Sequence, residues 1–323
     1  MIKRLSKIFE YAFVLSLICF MLIICLFNNY SKKVLEGISL WAACVLPSLF
    51  PYLFLTTLLS AIPLTSKLFY KLSPITLPLF KVGGSSTYAF FLSLISGYPI
   101  GAKTVSELRL SNLIDEDEGV RAACLCSTSS PTFLISSVGA ITFSNKTFGI
   151  LLYLSHLLGV ILNGVLFSFY KSKNFRPKKT PPLNIEKKQN LLYEASFSSV
   201  ISVLVVGGLI TIFFLLTSVL IDLKILVPLE KLLTYLLGEQ TLAKGIIYGL
   251  FECTVGMKTL SSLPLKTALP ACAFLSGFGG LSVIAQSLAY LKNAKIKTAP
   301  FILSKITCAV FSLSFSFIFS LLL

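Results

Sequence analysis

The sequence predicts an all-α polytopic membrane protein, from three observations: its composition, its recurrent apolar runs of bilayer length, and the charges on the loops between them. Of 323 residues, 55% are apolar and 13% charged, whereas soluble domains carry roughly 25% charged residues. The mean hydropathy is +0.87. Too little polar surface remains to cover a water-soluble globule, so the lipid bilayer is the first partner implied.

Apolar runs near the roughly 20 residues that a crossing needs extend from Tyr11 to Phe27, Val34 to Ile62, Ala122 to Phe143, Phe148 to Tyr170, Ser196 to Ile221, Leu269 to Leu291 and Ala299 to Leu323. These are about seven full transmembrane helices. Lys3, Arg4 and Lys7 precede the first, as in a signal peptide, but no small-residue cleavage site follows, so the run is expected as a retained helix. The eight cysteines lie in or beside apolar segments, with neither CxxC spacing nor a His-rich companion, so packing residues are expected and no metal site. The lone histidine, His156, is expected as a hydrogen-bonded helix contact.

The net charge of +15 points to basic cytoplasmic loops in such a chain, not to nucleic acid. Lys171 to Lys188 holds seven basic residues, one acidic residue and a Pro-Pro break, marking a cytoplasmic linker between two halves. The basic N-terminus is cytoplasmic too. Both assignments hold only if Gly83 to Lys103 (GGSSTYAFFLSLISGYPIGAK) enters the bilayer and returns on the same side. Gly97, Pro99 and Gly101 interrupt a helix there, and broken backbone at membrane depth needs protein or a polar cavity around it. By the same logic Gly245 to Leu263 (GIIYGLFECTVGMKTLSSL) is a second re-entrant hairpin, entering from outside. Lys305 falls within the last span. Trp41 is expected at the outer interface, and Glu107 to Arg121 as an acidic, solvated turn and helix start.

Pro99 to Leu108 (PIGAKTVSEL) aligns without gaps to Thr254 to Leu263 (TVGMKTLSSL), with Gly101/Gly256, Lys103/Lys258, Thr104/Thr259, Ser106/Ser261 and Leu108/Leu263 identical. The fold expected is therefore an inverted repeat with two broken hairpins. Its organisation is an N-terminal transmembrane helix over 1–33, a first repeat over 34–170, the basic linker over 171–192 and a second repeat over 193–323, both repeats forming one membrane domain. Paired broken helices in opposed halves are the signature of secondary transporters, whose substrates bind near the midplane.

Candidate substrate-binding residues follow from those breaks: Ser96, Gly97, Pro99, Gly101 and Lys103 in the first hairpin, and Glu252, Thr254, Gly256 and Lys258 in the second. Glu252 at membrane depth is either a substrate or coupling-ion group, taking a proton or cation, or a structural ion pair with Lys258 or Lys244. Lys103 and Lys258 either bind an anion or snorkel to the interfaces. Ser127, Ser129 and Ser130, beside Thr128 and Pro131, form the densest polar cluster in any span and point to a pathway. Ser276, Gly277, Gly279, Gly280, Ser282 and Gln286 occupy the matching place in the second half, where close helix packing by small residues is the competing role. No phosphate-binding loop, HExxH or GxSxG motif occurs, so an enzyme is not expected, nor any cofactor.

The runs GISLWAACVLPSLFPYLF (Gly37 to Phe54), SGYPIGAK (Ser96 to Lys103), CSTSSPTFLISSVG (Cys126 to Gly139), FECTVG (Phe251 to Gly256) and SGFGGLSVIAQ (Ser276 to Gln286) resemble the YlbJ-type sporulation integral membrane proteins. That family belongs to the nucleoside-recognition or Gate-domain group, which makes both repeats Gate-like. The resemblance implies a multi-pass protein of the mother-cell membrane around the developing spore, the outer forespore membrane, that moves dipicolinic acid toward the spore. Nucleosides or other small solutes, and a non-transporting scaffold for spore envelope assembly, are the alternatives.

Overall fold

The computed structural model describes residues 14–22, 24, 29–60, 62–173, 175–177 and 190–323, all-helical with no strand among them. Of the first expected span, only 14–22 and 24 are described, and these are helical. Residues 178–189 of the basic linker lie outside the described part.

Helix α1 (Asn29–Leu40) runs through a π-helical turn at Trp41–Val45 into α2 (Leu46–Ser60). Two short helices follow, α3 (Pro63–Tyr70) and α4 (Ser73–Phe80). The first half continues with α5 (Gly84–Ser96), α6 (Ile100–Leu110) and α7 (Glu116–Leu125). A π-helix over Thr132–Thr142 and α8 (Lys146–Ser168) complete it. The second half holds α9 (Leu191–Asp222), α10 (Val227–Leu237), α11 (Gln240–Phe251), α12 (Cys253–Leu260), α13 (Leu265–Phe278), α14 (Gly280–Asn293) and α15 (Thr298–Ser320).

Among the described residues, five helical stretches are long and apolar enough to cross a membrane: Asn29–Leu59, Lys146–Ser168, Leu191–Asp222, Leu265–Asn293 and Thr298–Ser320. They coincide with five of the expected spans. The run Ala122 to Phe143 does not form one helix. Residues 127–130 are non-helical and divide it into the end of α7 and the π-helix, because a Ser-Thr-Ser-Ser-Pro sequence offers the backbone side-chain partners and then withdraws an N–H. Leu269 to Leu291 is likewise divided at Gly279, where φ is +82° and the adjoining Gly280 has φ +77°; both lie in the left-handed region that favours glycine.

The two expected hairpins are present as pairs of short helices. With 13 residues in α5 and 12 in α11, the longer arms reach about 20 Å, well short of the roughly 30 Å hydrocarbon core. Arms α11 and α12 fold back on each other. A Cβ on Gly245 would meet the Leu260 side chain, and one on Gly256 would meet Gly249 and the Gly245 carbonyl, so residue 245 faces 260 and 249 faces 256. Arms α5 and α6 also pack together, turning at Gly97 (φ +73°) and a cis Tyr98–Pro99 bond.

The helix ends are capped from the sequence. Asp115 accepts from Glu118 N at 2.7 Å and Asn145 from Phe148 N at 2.8 Å, while Glu116, Asp117 and Glu118 place negative charge on the first turn of α7. That segment is not the fully solvated turn expected. Glu118 is buried, accepting from Gly83 N (2.8 Å) and the Ser86 hydroxyl (2.7 Å). Arg121 is buried as well, donating to the Lys81 and Tyr170 carbonyls.

Buried apolar side chains gather into separate clusters. One joins α5, α6, α7, the C-terminal half of α8, Leu291 of α14, and Phe301 and Cys308 of α15. Another joins the π-helix, the start of α8, α12 and α13, with Phe319 of α15 against it. Each divided span therefore gives one half to each cluster. Trp41, expected at an interface, lays its ring against Gly207 of α9.

Candidate functional site

The four interruptions of the chain meet at one cavity. It is lined by Ser96, Gly97 and Tyr98 from the first hairpin tip, Ser129 and Ser130 from the first divided span, Glu252, Cys253 and Thr254 from the second tip, and Gly279, Val283 and Gln286 from the second divided span. Val45, Ser48 and Leu49, beside the π-turn, and Val206 and Ile210 of α9 close the remaining side. The cavity is small, about 60 Å³.

The breaks touch one another directly. A Cβ on Gly97 would stand 2.6 Å from Ser130 N, and one on Gly280 would stand 3.0 Å from Cys253 N and 3.1 Å from the Gly249 carbonyl oxygen. Exposed backbone at the breaks is satisfied from neighbouring helices, as non-helical chain away from water requires. His156 accepts from Ser129 N through Nε2 at 2.9 Å, and the Thr128 hydroxyl donates to the Ser93 carbonyl at 2.6 Å. His156 is thus the helix contact expected of it.

Glu252 is buried at the tip of the second hairpin and caps α12, accepting from Val255 N at 3.0 Å and from the Thr254 hydroxyl at 3.4 Å. Neither Lys258 nor Lys244 pairs with it, so the ion-pair alternative falls. Its carboxylate has a structural task as a cap and also borders the cavity.

Of the other residues singled out in the sequence, Ser96, Gly97, Ser129, Ser130, Thr254, Gly279 and Gln286 line the cavity with Glu252. Ser282 is buried and accepts from Gln286 Nε2 at 3.3 Å, holding that amide in place. Pro99 precedes α6, and Gly101 in the first turn of that helix lies against the Cys126 carbonyl. Gly277 packs on Ala309, and Gly280 opens α14 beside Cys253. The two repeat lysines are elsewhere. Lys103 donates to the Ser198 hydroxyl at 3.2 Å, and Lys258 lines a larger cavity of about 770 Å³ with Lys32, Glu36, Cys44 and Thr142. Thr254 lines both cavities.

Sequence reasoning assigns no role to one buried cation that links several elements. Lys305 of α15 is fully buried and donates to the Tyr98 hydroxyl and the Ser127 hydroxyl, each at 3.0 Å. Tyr98 in turn donates to the Ser276 carbonyl at 2.8 Å. One ammonium therefore ties the first hairpin tip and the first divided span to α15, and through Tyr98 to α13. A lone lysine in an apolar run is the one signal the sequence holds, but its partners lie 207 and 178 positions away.

The sporulation integral membrane protein YlbJ of Bacillus subtilis (strain 168) is 30% identical over 307 residues, covering 86% of this chain and 74% of that protein. This chain belongs to the YlbJ family. No family model matches it, and no solved structure matches it. The YlbJ relative is an integral membrane protein, and the apolar helices described above make this YlbJ-family chain a multi-pass membrane protein as well. The relative's description names sporulation and no enzymatic activity.

Proposed function

We propose that this YlbJ-family protein is a secondary transporter or facilitator for a small organic anion, dipicolinic acid foremost, working during sporulation in the membrane around the developing spore. The observation that carries this is the convergence of all four chain breaks on one cavity. Each break ends one helix and starts another, so helix ends with partial charges of about half an electron surround the cavity. Such an arrangement recognises a solute with backbone, and backbone moves when helices move.

At about 60 Å³ the cavity is closed to any planar dicarboxylate, since pockets that hold small molecules run to roughly 300 Å³ or more. The larger cavity of about 770 Å³ shares Thr254 with it as a wall residue. This pairing of a tight centre with a roomy approach from one side supports alternating access, in which the halves of an inverted repeat part at the hairpin tips. Glu252, facing the cavity from one tip, is the group to carry a coupling proton.

Uptake of labelled dipicolinate into proteoliposomes of purified protein tests the proposal. Saturable uptake is expected, reduced at least tenfold by Glu252→Gln with the protein still monodisperse. No uptake under any proton or sodium gradient would refute dipicolinate transport. A second reading, a nucleoside carrier, is favoured by the wall itself, where the hydroxyls of Ser48, Ser96, Ser129, Ser130 and Thr254 and the Gln286 amide suit a neutral sugar. Uptake of uridine, and its competition with dipicolinate, separates the two. A scaffold would transport neither.

A further inference from the structure

We propose that the ammonium of Lys305 is the binding group for a carboxylate of the transported solute. The inference rests on the central cavity being the transport site, and it supplies the cation that the cavity wall lacks.

Lys305 is completely buried. Two of its three N–H donors go to the hydroxyls of Tyr98 and Ser127, and the ammonium sits 4.3 Å from the centre of the Tyr98 ring. Among the described residues no carboxylate pairs with it. Its titratable neighbours are the thiols of Cys124, Cys253 and Cys308 and the ring of His156. A cation without a counter-charge at this depth is costly, and neutral hydroxyls offset only part of that cost.

The ammonium stands directly behind the cavity wall. Tyr98, Cys253 and Gly279 line the cavity, and Gly279 lies so near the ammonium that a Cβ there would be 3.3 Å from Nζ. At Gly279 the ammonium is thus separated from the cavity by a residue with no side chain. When the hairpin tip carrying Tyr98 withdraws, a carboxylate takes the place of the Tyr98 hydroxyl as acceptor and gains a charge-assisted bond in a site shielded from water. The Ser127 hydroxyl, on the chain break, remains to hold the ammonium in position.

Thermal unfolding of the purified protein in detergent, with a panel of carboxylates (dipicolinate, picolinate, benzoate, glutarate) and the neutral pyridine-2,6-dicarboxamide, tests this. At least one carboxylate should stabilise the wild type while the diamide does not. In Lys305→Met the apparent affinity for that carboxylate should fall roughly 30-fold or more, the effect of removing one partner of a buried charge pair; Lys305→Arg should keep part of it. Tyr98→Phe leaves the lysine in place and removes the hydroxyl that a carboxylate must displace, so it should strengthen carboxylate binding and decides the matter if the Met variant does not fold. The proposal is overturned if no carboxylate stabilises the wild type, if the diamide does so equally, or if Lys305→Met binds like the wild type. Carboxylate binding lost in Lys305→Met, alongside absent uptake by the wild type, would sink the transport function while leaving Lys305 as a carboxylate-binding group.

Discussion

Replacing Gly256 by Ala strikes the second hairpin where its two arms are closest. An Ala Cβ there would lie 2.6 Å from the Gly245 carbonyl oxygen and 2.7 Å from Gly249 N, whereas ordinary contact begins near 3.4 Å. The Gly249 Cα is nearer still, so relief needs more than about 0.8 Å of separation between α11 and α12, and the obstructing atoms are backbone, which no rotamer change can move aside. Overpacking of this kind costs about 1–3 kcal/mol, from which the better helix propensity of Ala returns up to about 1 kcal/mol. The net loss should be about 1–2 kcal/mol, centred on the tip that holds Glu252 and Cys253. The chain carries its own reporter, because Cys124, Cys126, Cys253, Cys272 and Cys308 are free and buried, so a thiol-reactive fluorophore signals unfolding. Gly208→Ala is the control, a helical glycine with nothing within 4 Å of the added methyl. The Gly256 variant should unfold several degrees below the wild type and the Gly208 variant at or above it. Equal unfolding temperatures for Gly256→Ala and wild type would mean that the arms are not in backbone contact, and the hairpin geometry would be wrong.

Arg121→Met removes donors to the Lys81 carbonyl (2.8 Å) and the Tyr170 carbonyl (2.9 Å), and a cation 4.4 Å from the Phe175 ring centre; a loss of about 3 kcal/mol is expected, read by the same thiol-unmasking melt. In the folded protein, a small charged methanethiosulfonate should label Cys44, half-buried at the wall of the larger cavity, and leave the five buried thiols unreacted until denaturant is added, as mass spectrometry of the labelled peptides would reveal. Lys103→Ala should leave dipicolinate uptake within about threefold of wild type, since its ammonium engages Ser198 away from the cavity. Lys258→Ala, at the exposed approach, should lower the uptake rate mainly at low salt, as loss of electrostatic steering does; a salt-independent collapse of uptake would place that lysine on the substrate itself.

Much of this is legible because bilayer physics leaves strong marks on sequence. Five apolar runs form helical stretches of crossing length, one of them broken at Gly279, and the Gly97–Pro99 and Glu252–Gly256 segments form hairpin tips. A carboxylate at membrane depth, or glycine and proline clustered within a few residues of an apolar run, is costly in a straight lipid-facing helix and so marks a break or a cavity. The Ser127–Ser130 cluster reads as polar, but its power to end a helix does not show, so Ala122 to Phe143 passes for one span. Hydropathy averages over such a break without registering it. Lys103 and Lys258 draw attention by matching in the repeat, yet matched positions need not face the same cavity, because the two hairpins pack against different neighbours. Lys305 and Tyr98 are hidden for the opposite reason. Their significance exists only as a pair, and residues 207 positions apart announce nothing to each other in a linear reading. The π-turn at Trp41–Val45 leaves no compositional trace at all.

The division of the apolar core has a mechanical meaning. A protein with one continuous interior must shear packed side chains to open, at a cost that grows with every interdigitated layer. Here the two largest masses of packed side chains meet across the broken segments, and α8 and α15 are the posts that pass through both. In the transport cycle proposed above, parting the masses at this seam exposes serines, a glutamine and helix ends alongside Leu49, Phe133, Val206 and Ile210, and breaks the hydrogen bonds of Tyr98 and Lys305. Two posts also restrict how it parts: the masses can tilt about them but cannot slide past each other without bending a helix. The proposed motion is that of a book on its spine, with the lysine set into the binding.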